Sequence, residues 1–322
     1  MENLQRVLIT GATGFIGSHL IRKLIEEGFE VGIIKRKDSN RWRIYDLINK
    51  LSIYDADLRD INKVSEVISH FKPDVIFHLA TFYAVEHTPQ EISLMVDTNV
   101  LGTINLLEAS KKFSVKLFVN TSSCFVYQES KNKLRENSKL IPLNLYALTK
   151  IQAEQACSFY TEKYGLRTIT FRLFPPYGPA DHERRLIPYT IKSFFEEKKL
   201  KLTTGKQRWD FVYVDDIINA YLKLLNMPNL PIKHEIFNIG TGNAVSIQEV
   251  ISRLKEIIGS KVDLEWGLIP HRSNEVWYIC SDINKARDIL KWQPKIHILR
   301  EGLELTVKWY KNLWKENQKW KR

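Results

Sequence analysis

Cysteine is scarce in this chain. Cys124, Cys157 and Cys280 are the only three, far apart and never as Cys-x-x-Cys. That argues against a disulfide framework or a thiolate metal site, and the expectation is a cytoplasmic protein with no metal. Long apolar runs are missing as well. None approaches the roughly 18 residues that cross a bilayer. The first residues carry Glu2 and an apolar run that stops at Gly11, unlike a secretory signal. No internal repeat or low-complexity linker interrupts the chain. Acidic residues are the smaller share, 37 Asp and Glu against 48 Lys and Arg, for a net charge of +11. The cations alternate with acids, as in Lys23-Leu-Ile-Glu-Glu27 and Phe195-Glu-Glu-Lys-Lys199. This reads as a lysine-rich solvated surface and not a nucleic-acid patch, though positive potential would also suit a small anionic ligand. The basic, aromatic tail from Lys308 to Arg322 reads as a final helix docking Val307, Tyr310 and Trp314, then a frayed end. Membrane-surface contact is the lesser reading of it.

What is present is globular: hydrophobic residues make up 44% of a 322-residue chain, enough for one large core or two modest domains. The chain is organised by its opening stretch. A strand-forming run from Leu4 to Ile9 feeds Gly11-Ala-Thr-Gly14-Phe-Ile-Gly17. Ile16, Leu20, Ile21, Leu24 and Ile25 then share a helix face that Gly28 terminates. Strand, glycine turn and helix form a site for a dinucleotide pyrophosphate, because glycines let the backbone approach and a helix N-terminus offers free N–H groups.

Further strands are expected at Val31–Lys35, Leu51–Tyr54, Asp74–Leu79, Lys116–Asn120 and Arg167–Leu173. Helices are expected at Glu91–Lys112 and Leu145–Tyr164. The strands are apolar almost throughout, so the fold class is α/β with a doubly wound parallel sheet buried on both faces. Phe174-Pro-Pro-Tyr-Gly-Pro179 ends this pattern. The expected division is a dinucleotide-binding domain over 1–174 and a smaller substrate-binding part over 175–208 and 241–322. Segment 209–240 should rejoin the sheet through strands Trp209–Val214 and Glu235–Ile239, joined by a helix at Asp215–Asn226.

The second strand ends Lys35-Arg36-Lys37, with no carboxylate before Asp38 and with Arg41 and Arg43 just beyond. An acidic residue there would select NAD; cations suit a 2′-phosphate, so NADP(H) is favoured over NAD(H). Tyr146 and Lys150, four apart on a helix, share a face. A lysine ammonium beside a phenol stabilises phenolate and lowers a pKa that starts near 10. A serine at the preceding strand's end can hold a carbonyl oxygen while the tyrosine moves the proton that accompanies hydride transfer.

These residues in this order resemble the extended short-chain dehydrogenase/reductases that act on nucleotide sugars, a Rossmann-fold family. The resemblance runs from Val7 through Trp309 and includes Asn99-Val-Leu-Gly-Thr103, Asp210-Phe-Val-Tyr-Val-Asp-Asp216, Phe237-Asn-Ile-Gly-Thr-Gly242 and Leu290-Lys-Trp-Gln-Pro294. It implies Ser123, Tyr146 and Lys150 as the catalytic set. It implies cofactor contacts from Gly11, Thr13, Gly14, Phe15, Ile16, Gly17, Lys35, Arg36, Asp57, Leu58, Leu79, Ala80, Thr81, Asn99, Thr121 and Phe174, together with Tyr146 and Lys150. Nucleotide-sugar contacts are implied for Tyr83, Ser123, Tyr177, Arg185, Arg208 and Arg272. Three departures from the family pattern stand out. Pro175 replaces a common Asn, and Trp209 stands where an arginine usually precedes Asp-Phe. Cys124 and Phe125 occupy the place of the acid–base pair of 4,6-dehydratases.

The resemblance implies reduction of the 4-keto group of a nucleotide-activated 4-keto-6-deoxyhexose for deoxysugar and surface-glycan synthesis, as in abequose-synthase-like proteins. A nucleotide-sugar 4-epimerase with tightly held NAD is the rival, and a non-catalytic dinucleotide-sensing or RNA-binding relative is a more distant one. Relatives pair the two long helices as a four-helix bundle, so a homodimer is expected.

Overall fold

The computed structural model describes residues 5–227 and 233–319; Leu4 and the last residues of the tail, 320–322, lie outside them. Seven parallel strands make the central sheet: β1 (Arg6–Thr10), β2 (Glu30–Lys35), β3 (Ser52–Asp55), β4 (Val75–His78), β5 (Leu117–Ser123), β6 (Thr168–Leu173) and β7 (His234–Ile239). Their order is β7-β6-β5-β4-β1-β2-β3, so the sheet is a Rossmann-type one whose order reverses between β1 and β4. Alternate residues of β1 show why the strands are apolar throughout. Val7 and Ile9 pack on one face with Leu20 and Leu24 of α1 (Phe15–Glu26). Leu8 packs on the other with Ile68 of α2 (Ile61–Phe71). Each such side chain contributes roughly 1.5–3 kcal/mol by leaving water.

The expected long helix is present in two parts, α3 (Glu91–Val96) and α4 (Gly102–Lys112), joined by a wide turn over Asp97–Leu101. Such a turn re-aims side chains, and here it carries Asn99. Helix α5 (Leu145–Tyr164) starts where the Asn144 side chain accepts from the Ala147 N–H at 2.9 Å, and ends at Gly165 in the left-handed region. Further helices are α6 (Leu186–Phe195), α7 (Val214–Leu225), α8 (Ile247–Ile258), α9 (Asn284–Leu290) and α10 (Leu303–Lys319). Helix α10 docks through buried Val307 and through Trp314, tilted against Phe195. No helix of the described residues is long and apolar enough to cross a membrane.

One expected strand is corrected. Segment Trp209–Val214 does not rejoin the main sheet. Arg208–Trp209 pairs instead with Val245–Ser246 and Tyr278–Ile279, Val212–Tyr213 pairs with Pro176–Tyr177, and α7 begins at Val214. The cause is Asp210, a fully buried carboxylate. It accepts from the backbone N–H groups of Thr241 (2.8 Å), Gly242 (2.9 Å) and Ser281 (3.0 Å) and from both neighbouring hydroxyls. Desolvating a carboxylate is costly without such donors, so the chain bends to supply them. Only β7 joins the sheet, as an edge beside β6.

Candidate active site

The reversal between β1 and β4 opens a crevice, and the glycine turn lies in it. Gly11 has φ +73°, and a Cβ there would lie 2.6 Å from the Ala80 nitrogen. A Cβ on Gly17 would lie 2.2 Å from the Gly11 carbonyl oxygen. No side chain caps α1 at Gly14, which leaves its first-turn amides to an anion. The cradle fits a dinucleotide pyrophosphate over Gly11, Thr13, Gly14, Phe15, Ile16 and Gly17. Leu79 and Ala80 floor it, held by Thr10 at 3.1 and 3.2 Å.

Beyond them the Asn99 side chain accepts from the Thr81 hydroxyl (3.0 Å) and the Phe82 N–H (2.7 Å) and donates to the Phe82 carbonyl (2.9 Å). Asn99 therefore shapes the loop over which a cofactor would pass. His78 lies beneath this floor, bonded to Thr10 through Nδ1 (2.7 Å) and to Thr103 through Nε2 (2.9 Å). Burial lowers its pKa to about 3, with the Lys150 charge adding to the effect. Asp57 is gripped by Arg59 at 2.7 and 3.0 Å, which holds its carboxyl below the usual range, and Leu58 is buried.

Ser123, Tyr146 and Lys150 meet at the ends of β5 and α5. The Lys150 ammonium, 3% exposed, donates to the Thr121 carbonyl at 2.9 Å and lies 5.7 Å from the centre of the Tyr146 ring. Burial lowers Lys150 to about 8, opposed by the Glu154 carboxylate one turn on. Tyr146 runs against expectation: burial pushes its phenol up, aided by Tyr83 and Cys124 and opposed by Arg185 and Ser123. The lysine's ammonium is turned to the Thr121 carbonyl and not to the phenol oxygen. Tyr83 stands edge-on to Tyr146, ring centres 4.9 Å apart. Arg185 and Arg272 both act electrostatically on Tyr83, and Arg185 acts on Tyr146 as well.

A buried network behind the lysine escaped the sequence reading. Glu154, 4% exposed, accepts from Ser122 (2.5 Å) and from two nitrogens of Arg172 (3.0 and 2.6 Å). Arg172 also donates to the Glu136 carbonyl at 2.9 Å. The available signal was spacing: Tyr146, Lys150 and Glu154 recur every four residues on one helix face.

Several expected contacts are corrected. Tyr177 is 1% exposed and packs among Phe211, Tyr213 and Gly302, so its ring belongs to the core and not to a ligand. The Phe174 side chain is fully buried as well. Arg208 points away from Trp209, as strand alternation requires, and donates to Glu249 (3.2 Å) and the Ala244 carbonyl (2.8 Å). The Trp209 indole donates to the Val276 carbonyl at 2.8 Å, with its ring edge-on to Phe125. Lys35 is buried and ion-paired with Asp55, its partner in the β2–β3 register, which leaves Arg36 and Lys37 as the exposed cations at the end of β2, with Arg36 paired to Asp38 at 3.3 Å. Arg43 donates to the Ala180 carbonyl at 2.8 Å and stacks on Trp42. Cys124 is 1% exposed with its thiol pushed up by burial, a small core residue and not an acid.

Comparison with known proteins agrees with this geometry. The model of the NAD dependent epimerase/dehydratase family matches residues 7–240. The chain is 34% identical over 315 residues to a UDP-glucuronate 4-epimerase of Thermodesulfobacterium geofontis, covering 94% of this chain and 95% of that one. It is 30% identical to a CDP-abequose synthase of Salmonella typhimurium, covering 94% and 97%. The crystal structure of Bacillus cereus UDP-glucuronic acid 4-epimerase with UDP-glucuronic acid and NAD aligns with a TM-score of 0.87 at 28% identity, covering 96% of this chain and all of that one. On these matches the chain belongs to the NAD dependent epimerase/dehydratase family, within the extended short-chain dehydrogenase/reductases.

Proposed function

We propose that the protein reduces the 4-keto group of a nucleotide-activated 4-keto-6-deoxyhexose with NADPH. The observation that carries this reading is the end of β2, where Arg36 and Lys37 are exposed, no carboxylate precedes Asp38, and Arg36 meets that carboxylate only at the surface, at 3.3 Å. A nicotinamide cofactor, when bound, supplies hydride to the sugar C4. Tyr146 gives its proton to the C4 oxygen, and a phenol kept protonated by burial suits that donor role. Ser123 steadies the same oxygen. Lys150, at about 8, keeps its proton at neutral pH and shares the helix face from which the resulting phenolate is stabilised. Cys124 and Phe125 supply no acid–base pair for dehydration.

The second reading is a 4-epimerase that retains NAD, favoured by the UDP-glucuronate 4-epimerase relative. Absorbance at about 340 nm, where the reduced ring is followed, separates the two. Stoichiometric NADPH loss with a dTDP- or CDP-4-keto-6-deoxyhexose is expected. Interconversion of UDP-hexoses by protein purified with NAD, without added cofactor, would instead establish the epimerase.

Cofactor choice gives a second prediction. Arg36→Asn should weaken NADPH binding by about 1.5–3 kcal/mol, one charge-assisted contact, and leave NADH binding unchanged. Titration by protein fluorescence checks this, and equal affinity of the wild type for both cofactors contradicts it.

The protein is also proposed to be a homodimer. Ile92, Leu101, Leu148 and Phe159, on or between the long helices, are 40–48% exposed, an apolar surface that a four-helix bundle would cover. Light scattering at micromolar concentration should give twice the chain mass; an active monomer would overturn the assembly.

A further inference from the structure

Three successive carbonyls after the β6 loop are each held by a different element. The Pro179 carbonyl bonds His19 of α1 at 2.9 Å. The Ala180 carbonyl accepts from Arg43 Nε at 2.8 Å, and the Asp181 carbonyl from the Tyr310 hydroxyl of α10 at 3.2 Å. Ala180 itself is left-handed, φ +61°, a conformation an alanine keeps only when its surroundings impose it. The Asp181 carboxylate, 6% exposed as a residue, then accepts from Arg185 at 3.4 Å, and Arg185 acts on Tyr83 and Tyr146. Arg43 also reaches the Thr13 carbonyl of the glycine turn at 3.5 Å. Its own backbone carbonyl is fixed to α1 by Arg22 at 2.6 Å.

We propose that Arg43 is a positioning residue for the substrate side: it ties the 179–181 turn to the dinucleotide turn and thereby sets Arg185 against the Tyr83–Tyr146 pair. Arg43 thus does not serve as a ligand of the cofactor's 2′-phosphate, although it lies close to β2 in sequence. Its guanidinium is committed to two carbonyls and to the face of Trp42, 4.4 Å away. This inference rests on the reading that Arg185 meets a nucleotide sugar.

The test compares Arg43→Met, Arg43→Lys, Arg185→Met and the Arg43→Met/Arg185→Met double variant. Arg43→Met should raise the KM for the dTDP- or CDP-4-keto-6-deoxyhexose roughly tenfold, the equivalent of one charge-assisted hydrogen bond. Its kcat should stay within a few-fold and its NADPH affinity should not change. Arg43→Lys should recover part of the loss, and the double variant should be no worse than Arg185→Met, because both act through one contact. A rise in NADPH Kd with the sugar KM unchanged, or additive losses in the double variant, overturns the proposal. Hydrogen exchange on the protein alone keeps it testable if no nucleotide sugar turns over or Arg43→Met folds poorly. Amides of 181–186 should exchange faster in Arg43→Met, or in Arg43→Lys to a lesser degree, than in wild type. Unchanged protection there sinks the strap, whereas faster exchange without turnover sinks only the substrate reading.

Discussion

Tyr146→Phe is expected to lower kcat by about 10²–10⁴-fold, the range for a lost general acid, while cofactor affinity stays within a few-fold. The phenol is 7% exposed, edge-on to Tyr83 and close to Ser123, so its removal deletes a proton donor without opening the site. Lys150→Met should differ, losing turnover and cofactor affinity together, because its ammonium is the one positive charge on that helix face. Steady-state kinetics beside cofactor titration distinguishes the two. Full activity in Tyr146→Phe would assign the acid elsewhere. Tyr127 is then a poor substitute, since its hydroxyl is committed to Asn238 at 2.6 Å and burial pushes it up. The exposed His87 would be the group to test next.

The second large effect concerns stability. Arg172→Leu alone, or Glu154→Leu alone, should each destabilise the fold by about 3–5 kcal/mol, because each strands a buried charge. The residues are 2% and 4% exposed. Replacing both by leucine should recover much of the loss, since well-packed apolar groups often match a buried ion pair. Urea denaturation of the four proteins gives the coupling directly. Strictly additive losses would mean that the pair is not one unit. Glu154 also opposes the desolvation of Lys150, so the double variant should fold yet titrate its lysine lower.

How far the chain could be read beforehand follows from what each signal reports. Local signals served well. The glycine turn, the apolar strands and the Tyr146–Lys150 spacing depend on neighbours within one element, and the sheet and the shared helix face of Tyr146 and Lys150 follow from them. Signals that depend on which side of a strand a residue occupies did not. Arg208 and Trp209 are adjacent, yet alternation sends them to opposite faces, and the identity of neither residue reveals the choice. Lys35 reads as a free cation until register brings Asp55 beside it from 20 residues away. Tyr177 resembles a ligand contact in its motif, but the close approach of Gly302 from the far end of the chain buries its ring. Asp210 reads as strand and behaves as a hub, because its five donors come from Thr241, Gly242 and Ser281.

The hydrogen bonds around His78 also have a direction. The Thr103 hydroxyl gives its only proton to the Asn99 carbonyl at 2.6 Å, so it must accept from Nε2. The imidazole therefore carries its proton on Nε2, and Nδ1 is left to accept from Thr10, whose oxygen in turn accepts from the Ala80 N–H. One tautomer thus runs a one-way chain from the backbone under the glycine turn to the backbone of the wide turn that carries Asn99. A glutamine could copy that polarity, with its carbonyl accepting and its amide donating; a leucine of similar bulk could not. The ring is a fixed dipole between two loops and, with its pKa near 3, never a proton carrier at physiological pH.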